Sequence, residues 1–265
     1  MRLLTYMKKF LLVLVFIVSF TNLIAQRSEV GFTTGGTFYI GDLNNSNLFN
    51  AVQPAFGIVY RYNFDTRLAM RGTLLHGAVQ SHDLFKPERE LNFSSTINEF
   101  SIQFEMNFLN YFTGSSRSFI SPYLFGGVGV FMFEPTATYF GEVYNLRDHN
   151  TEGLEYSNFS LTLPFGIGVK YSVSRVIGLS LEWGMRKTIT DHLDDVSTVY
   201  SDATTGSFDN PVPLPPHDPS GLFSAGMQRG NSKDNDWYSY AGATITFMVD
   251  FRGRARCDEP HRLRL

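Results

Sequence analysis

The chain has 265 residues, of which 18% are charged and 15% aromatic, with a mean hydropathy of -0.10 and a formal net charge of -3. Soluble enzymes of this size carry about a quarter charged residues, and helical membrane proteins contain several apolar runs of about 20 residues, so both classes are disfavoured. Nucleic acid is not an expected partner either, because phosphate contacts require clustered Lys and Arg. The composition favours an all-β, lipid-facing protein.

The first 25 residues are predicted to be a cleaved secretory signal peptide. Arg2, Lys8 and Lys9 precede an uncharged apolar stretch over residues 10–20, and Ala25 offers a small residue before the cleavage point. The alternative is an uncleaved N-terminal anchor. No cysteine lies near the cleavage point, so a lipoprotein signal is not expected. The pattern predicts an exported protein.

Eight segments of alternating apolar and polar residues follow and predict eight strands. The fourth is the most regular, because an apolar residue such as Phe104 occupies every second position and a polar residue such as Glu105 lies between. The predicted strands span roughly 30–40, 55–64, 67–74, 99–108, 120–133, 159–171, 177–186 and 237–251. An even number of strands permits antiparallel closure. We therefore predict an eight-stranded antiparallel up-and-down transmembrane β-barrel over residues 26–251.

The connections between predicted strands alternate in length. The odd-numbered connections are long, at about 41–53, 81–97, 134–158 and 190–236, and the others are mostly short. Bacterial outer-membrane barrels have long extracellular loops and short periplasmic turns. This predicts an outer-membrane location with both termini in the periplasm and residues 252–265 as a periplasmic tail. A soluble lipocalin-like barrel is the alternative, but its apolar face would point inward.

Charged residues of the strands, Arg67 among them, fall on the face that is predicted to point inward. An eight-stranded barrel has an interior just wide enough for side chains, and an unpaired buried charge is costly. We therefore predict a structural salt-bridge network in the lumen. Its members are Arg61, Arg71, Glu99, Glu105, Lys170, Glu182 and Arg186. A catalytic or conducting lumen is the alternative, which the small strand number disfavours.

The last predicted strand carries an assembly signal. Residues 240–247 follow the order polar, x, Gly, x, x, apolar, x, aromatic. This order resembles the signal that the barrel-assembly machinery reads, so this machinery and outer-membrane lipid are expected partners.

The histidines offer two weaker candidates for chemistry. His76 or His82 with Ser81 and Asp83 would suit a membrane-embedded acyltransferase or lipase, which needs a His close to a Ser and an acid. His192 lies among three aspartates, but their spacing matches no known metal-ligand pattern. We predict no enzymatic activity, no cofactor and no metal.

Cys257 is the only cysteine of the chain and follows the last predicted strand, beside Arg252, Arg254 and Arg256. An odd cysteine in an exported protein indicates an intermolecular disulfide or a reactive thiol. The alternative is an inert thiol on the tail. Our hypothesis is that these four residues form a periplasmic docking site, with Cys257 cross-linked to a partner.

Three segments, residues 35–44, 121–129 and 228–238, resemble the PorG family of Bacteroidetes. This resemblance implies a non-enzymatic outer-membrane component of the type IX secretion system, which exports proteins and, in gliding species, supports motility. It also implies association with the periplasmic ring of the lipoprotein PorK/GldK and of PorN/GldN. The family pattern includes a cysteine after the last strand, which Cys257 matches. A generic small barrel with surface-binding or lipid-modifying loops is the alternative.

Overall fold

The computed structural model of the protein describes residues 27–44, 51–83, 86–149, 151–201, 218, 220 and 222–249. The predicted signal peptide and the tail, with Arg252, Arg254, Arg256 and Cys257, lie outside the described residues.

Nine strands form within the described residues, together with two single-turn 3-10 helices at Pro87–Arg89 and Arg147–His149. The strands are β1 (Arg27–Ile40), β2 (Gln53–Asn63), β3 (Leu68–His82), β4 (Asn92–Asn107), β5 (Ile120–Tyr139), β6 (Glu142–Asn145), β7 (Phe159–Ser172), β8 (Ile177–Thr188) and β9 (Trp237–Val249). No helix in this part of the chain is long and apolar enough to cross a membrane.

Eight of these strands close into a barrel. Each pairs antiparallel with its neighbours in the chain, and β1 pairs with β9 from Ser28↔Val249 to Ile40↔Trp237, which closes the ring. The short strand β6 pairs with the upper part of β5 and lies outside the ring. The predicted eight-stranded antiparallel up-and-down barrel is confirmed.

Alternation along each strand sorts the side chains between the exterior and the lumen. Phe104 is 63% exposed, whereas the next residue, Glu105, is 1% exposed. The exposed apolar side chains form a belt around the barrel, which includes Phe32, Ile58, Leu74, Phe100, Val128, Leu161, Ile167, Leu181 and Ile245. Near the strand ends at the short turns, the exposed aromatic residues are Tyr60, Phe64, Phe108, Phe119, Tyr171 and Phe247. An apolar belt with an aromatic border is the exterior of a membrane-spanning barrel.

Three sequence predictions need correction. Arg67 is exposed rather than inward, because the Asp65 carboxylate accepts hydrogen bonds from the backbone N–H groups of Arg67 and Leu68 and holds a turn that ends where β3 begins. Strand β4 begins at Asn92, so the preceding connection is much shorter than predicted. Strand β5 continues past Phe133 to Tyr139 and turns back into β6, which the sequence analysis missed.

Candidate functional site

Most of the inward charges meet in one network whose centre is Glu105, and Arg186 and Glu99 form a separate pair. Glu105 Oε2 lies 2.6 Å from Lys170 Nζ and 2.8 Å from Arg61 Nε, and its Oε1 lies 3.2 Å from Arg71 Nε. All four side chains are almost completely buried. Three cations around one carboxylate leave an excess of positive charge, which other acids in the lumen offset.

Glu182, Glu99 and Glu29 supply that compensation. Glu182 pairs with Arg71, and Glu99 Oε2 lies 3.1 Å from Arg186 Nε. All seven residues of the predicted network are thus placed inside the barrel and ion-paired. Glu29, which the sequence analysis did not include, lies 2.9 Å from Arg61 Nη1. The sequence could have indicated Glu29, because it lies one residue before the predicted start of β1 and alternation places it on the inward face.

Aromatic rings fill the space between the ion pairs. Lys170 Nζ lies 4.6 Å from the centre of the Tyr123 ring, and the Arg186 guanidinium lies 5.1 Å from that of Tyr240. The Tyr123 hydroxyl also donates a hydrogen bond of 2.8 Å to Glu182. Charged groups and aromatic rings therefore pack against one another inside the barrel.

The turn between β4 and β5 closes the barrel base. Thr113 and Tyr111 are buried, and the Thr113 hydroxyl donates to Glu29 Oε1 at 2.8 Å. Arg117 of the same turn stays exposed. The turn therefore contributes both a lumen plug and an accessible surface.

The segment 189–201, which follows β8, covers the opposite end, the barrel mouth. We call it the capping segment. Its Leu193 and Val196 are buried, and they belong to a hydrophobic cluster built from the upper inward faces of the strands. That cluster includes Tyr39, Val79, Phe93, Ile97, Phe131, Phe133, Tyr139 and Tyr238.

Two aspartates attach the capping segment to the barrel through Tyr39 of β1. The Tyr39 hydroxyl oxygen lies 2.5 Å from Asp194 Oδ2 and 2.9 Å from Asp236 Oδ1. The backbone N–H of Leu193 donates to Asp236 Oδ2 at 3.0 Å, and that of Val196 donates to Asp194 Oδ1 at 2.9 Å. Burial, reinforced by nearby carboxylates, raises the pKa of both aspartates well above the ordinary value.

Arg229 joins the capping segment to two other loops. Its Nη1 lies 3.0 Å from Glu152 Oε1, and it forms a second, longer ion pair with Asp195. Asp195 also accepts a hydrogen bond of 2.6 Å from the Tyr156 hydroxyl, and the Tyr156 ring stacks on His192 at 4.4 Å. Burial lowers the pKa of His192. In the described part of the chain, no group of three or more His, Cys, Asp or Glu side chains is placed to hold a metal ion.

The histidine candidates near the end of β3 do not converge on a catalytic arrangement. Ser81 is buried and donates to the backbone carbonyl of His82, whereas His82 is exposed on the opposite face. Asp83 pairs with Arg89, and His76 Nδ1 lies 2.8 Å from Asn98 Oδ1 on the exterior.

The hairpin of β5 and β6 extends beyond the ring of strands. Its two-residue turn is Phe140–Gly141, with φ values of 51° and 84°. Phe140 is 94% exposed. A bulky residue in the left-handed region is uncommon and carries a conformational cost.

A closed barrel with an apolar exterior, an ion-paired interior and a covered mouth defines a small transmembrane β-barrel. Residues 8–211 match a domain of unknown function, DUF6089, and the chain belongs to this family. No curated protein matches the chain.

Several solved structures are similar to this chain at low identity. The N-terminal β-barrel domain of Pseudomonas aeruginosa OprF has 12% identity over 85% of this chain and 100% of that chain, with a TM-score of 0.38. Neisserial surface protein A has 11% identity over 84% and 99%, with a TM-score of 0.43. Ail, the attachment invasion locus protein of Yersinia pestis, has 12% identity over 84% and 97%, with a TM-score of 0.38.

Proposed function

We propose that the protein is an outer-membrane scaffold of the type IX secretion system that anchors the periplasmic PorK/PorN (GldK/GldN) ring. The observation that carries this proposal is the meeting of two PorG-like segments, residues 35–44 and 228–238. The backbone N–H of Asn231 donates to Asp42 Oδ2 at 2.6 Å across 189 residues of sequence. The resemblance therefore rests on one folded unit at the barrel mouth, not on separate generic strands.

The filled lumen supports a scaffold over a channel or an enzyme. Conduction needs a water-filled path, whereas the ion pairs around Glu105 occupy the interior and the capping segment covers the mouth. Hydrolase chemistry of the Ser-His-acid kind needs the three side chains on one side, whereas Ser81 and His82 face opposite ways. The protein then acts through its surfaces.

The periplasmic surface of this proposal has two parts. One is the turn over residues 111–118, whose Arg117 is exposed. The other is the tail, in which Cys257 and its three arginines would contact the ring lipoprotein. Long loops lie outside the cell in this orientation, and both termini lie in the periplasm.

Two alterations of the tail test the proposal in cells. Deletion of residues 252–265 should reduce the export of type IX substrates and release the ring lipoprotein from the purified barrel. Cys257→Ser should remove any reducible high-mass species on a non-reducing gel. Resistance of the barrel to unfolding in gel-loading detergent serves as the control for assembly. Normal export with the ring lipoprotein still bound to the truncated barrel would contradict the scaffold function.

The exposed Phe140 favours a second candidate, a surface-binding barrel whose extracellular hairpin contacts a partner. A left-handed, fully exposed phenylalanine has no packing role to offset its cost. Phe140→Ser would separate the two functions, because it should leave export intact while it weakens adhesion of cells to a host or matrix surface. Loss of export in this variant would count against the surface-binding candidate.

A further inference from the structure

The two hydrogen bonds at the Tyr39 hydroxyl oxygen need two protons, and the hydroxyl itself supplies one. A tyrosine hydroxyl has a single proton, yet its oxygen lies 2.5 Å from Asp194 Oδ2 and 2.9 Å from Asp236 Oδ1. It can donate to only one of these oxygens. The other contact needs a proton from the carboxyl group itself.

The backbone contacts decide which carboxyl oxygens can hold that proton. Asp236 Oδ2 and Asp194 Oδ1 already accept backbone N–H groups, so the free positions are the two oxygens that face Tyr39. A protonated Asp236 Oδ1 that donates to Tyr39, with Tyr39 donating to Asp194, satisfies every contact. The mirror arrangement satisfies them equally.

The charged surroundings favour retention of the proton. The charged groups that act most strongly on the pair are the carboxylates of Asp42, in the turn after β1, and Asp191, in the capping segment. Asp191 is itself 8% exposed, and neither of its oxygens has a hydrogen-bond partner. Burial raises its pKa to about 7, and the negative charge of Asp42 acts in the same direction. Glu152 and Asp234 add negative charge near Asp42 and Asp191, and Arg89 offsets part of it at Asp42.

We propose that Asp194 and Asp236 share one proton across the Tyr39 hydroxyl, and that loss of this proton as the pH rises releases the capping segment from the barrel mouth. Two ionised carboxylates held against one hydroxyl repel each other, and burial leaves little water to screen them. The closed mouth binds one proton more than the open mouth. Closure is therefore complete in acid and weakens as the pH rises.

Hydrogen exchange of the assembled barrel in lipid vesicles tests this proton-dependent closure of the mouth. The amide protection of Leu193 and Val196, corrected for intrinsic exchange, should fall about tenfold per pH unit between the ordinary carboxyl pKa and the raised value. Asp194→Asn should make this dependence shallower, because the amide supplies the missing proton permanently and only the other acids of the capping segment, such as Asp191, still titrate. Asp148→Asn, at an exposed loop acid, is the matched control and should follow the wild-type profile. Equal pH profiles in wild type and Asp194→Asn would overturn the proposal.

A second measurement needs no variant. Infrared spectra of the wild-type barrel at pH 8 should contain a protonated-carboxyl band, because the shared proton remains on Asp194 or Asp236 at that pH. Absence of that band would overturn the shared proton. Protection that rises on addition of calcium chloride and falls with a chelator would also overturn it, in favour of a cation between the carboxylates.

Discussion

Glu105 Oε2 lies 2.6 Å from Lys170 Nζ in the interior of the barrel, where both side chains are excluded from water. The same carboxylate is ion-paired with Arg61 and Arg71 from two neighbouring strands. A single acid thus connects strands β2, β3, β4 and β7. Its removal would leave three cations facing one another.

We expect Glu105→Gln to destabilise the barrel by about 3–5 kcal/mol, the usual cost of removing one partner from a buried ion pair. The free energy of unfolding in guanidinium chloride measures this change. Glu134→Gln, at an exposed position on β5, is the matched control and should stay within about 0.5 kcal/mol of wild type. An equal effect of the two substitutions would mean that the lumen network contributes little to stability.

Leu181 tests whether the apolar belt faces lipid. It is 65% exposed in the middle of β8, where an arginine would meet the bilayer core at a cost of about 2–4 kcal/mol. Leu181→Arg should therefore lower the stability of the barrel in lipid vesicles. Val143→Arg, at a 70% exposed position on β6 outside the ring, should have little effect. Tolerance of Leu181→Arg in vesicles would point to a water-facing exterior.

Alternation made the barrel and its lumen predictable. Because side chains alternate along a strand, an outward Phe104 means that Glu105 points inward. The same rule predicts that Arg61, Lys170 and Arg186 point inward. The rule fails at strand ends, where turn chemistry takes over. Arg67 has the parity of Arg71, but the Asp65 turn removes it from the strand.

The position of the capping segment over the barrel mouth was not predictable from the local sequence pattern. Tyr39 and Asp194 are 155 residues apart, and the capping segment has no repeating period. The burial of Asp191, Asp194 and Asp195 does not follow from their neighbours in the sequence, because it depends on which distant strands surround them. The hairpin of β5 and β6 was missed for a related reason, since Phe140 is an unusual residue for a two-residue turn.

Phe140 should be replaceable with a gain in stability. Asn is favoured in the left-handed conformation that Phe140 adopts, so Phe140→Asn should stabilise the hairpin by about 1 kcal/mol. Amide exchange of Val143 and Tyr144 measures the local effect. Gly141→Ala, at a φ of 84°, should act in the opposite direction. A loss of hairpin protection in Phe140→Asn would mean that the phenylalanine ring packs against the loops.

Gly41, in the turn after β1, lies against Tyr39 and Asp236 at the barrel mouth. A Cβ at this position would lie 2.1 Å from Asp236 Oδ1 and 2.1 Å from the Tyr39 hydroxyl oxygen. Both atoms belong to buried hydrogen bonds, so neither can move aside without breaking the hydrogen bond between Tyr39 and Asp236. Overpacking of this kind costs about 1–3 kcal/mol.

Gly41→Ala should therefore lower the amide protection of Leu193 and Val196 by about five- to 150-fold, since 1.4 kcal/mol corresponds to a factor of ten. Gly72→Ala is the matched control, because a Cβ at Gly72 meets no atom within 4 Å. It should leave the protection of both amides unchanged. Because the barrel network around Glu105 does not contact Gly41, global unfolding should change less than opening of the mouth. Equal losses in global stability and local protection would show instead that the mouth and the barrel unfold as one unit.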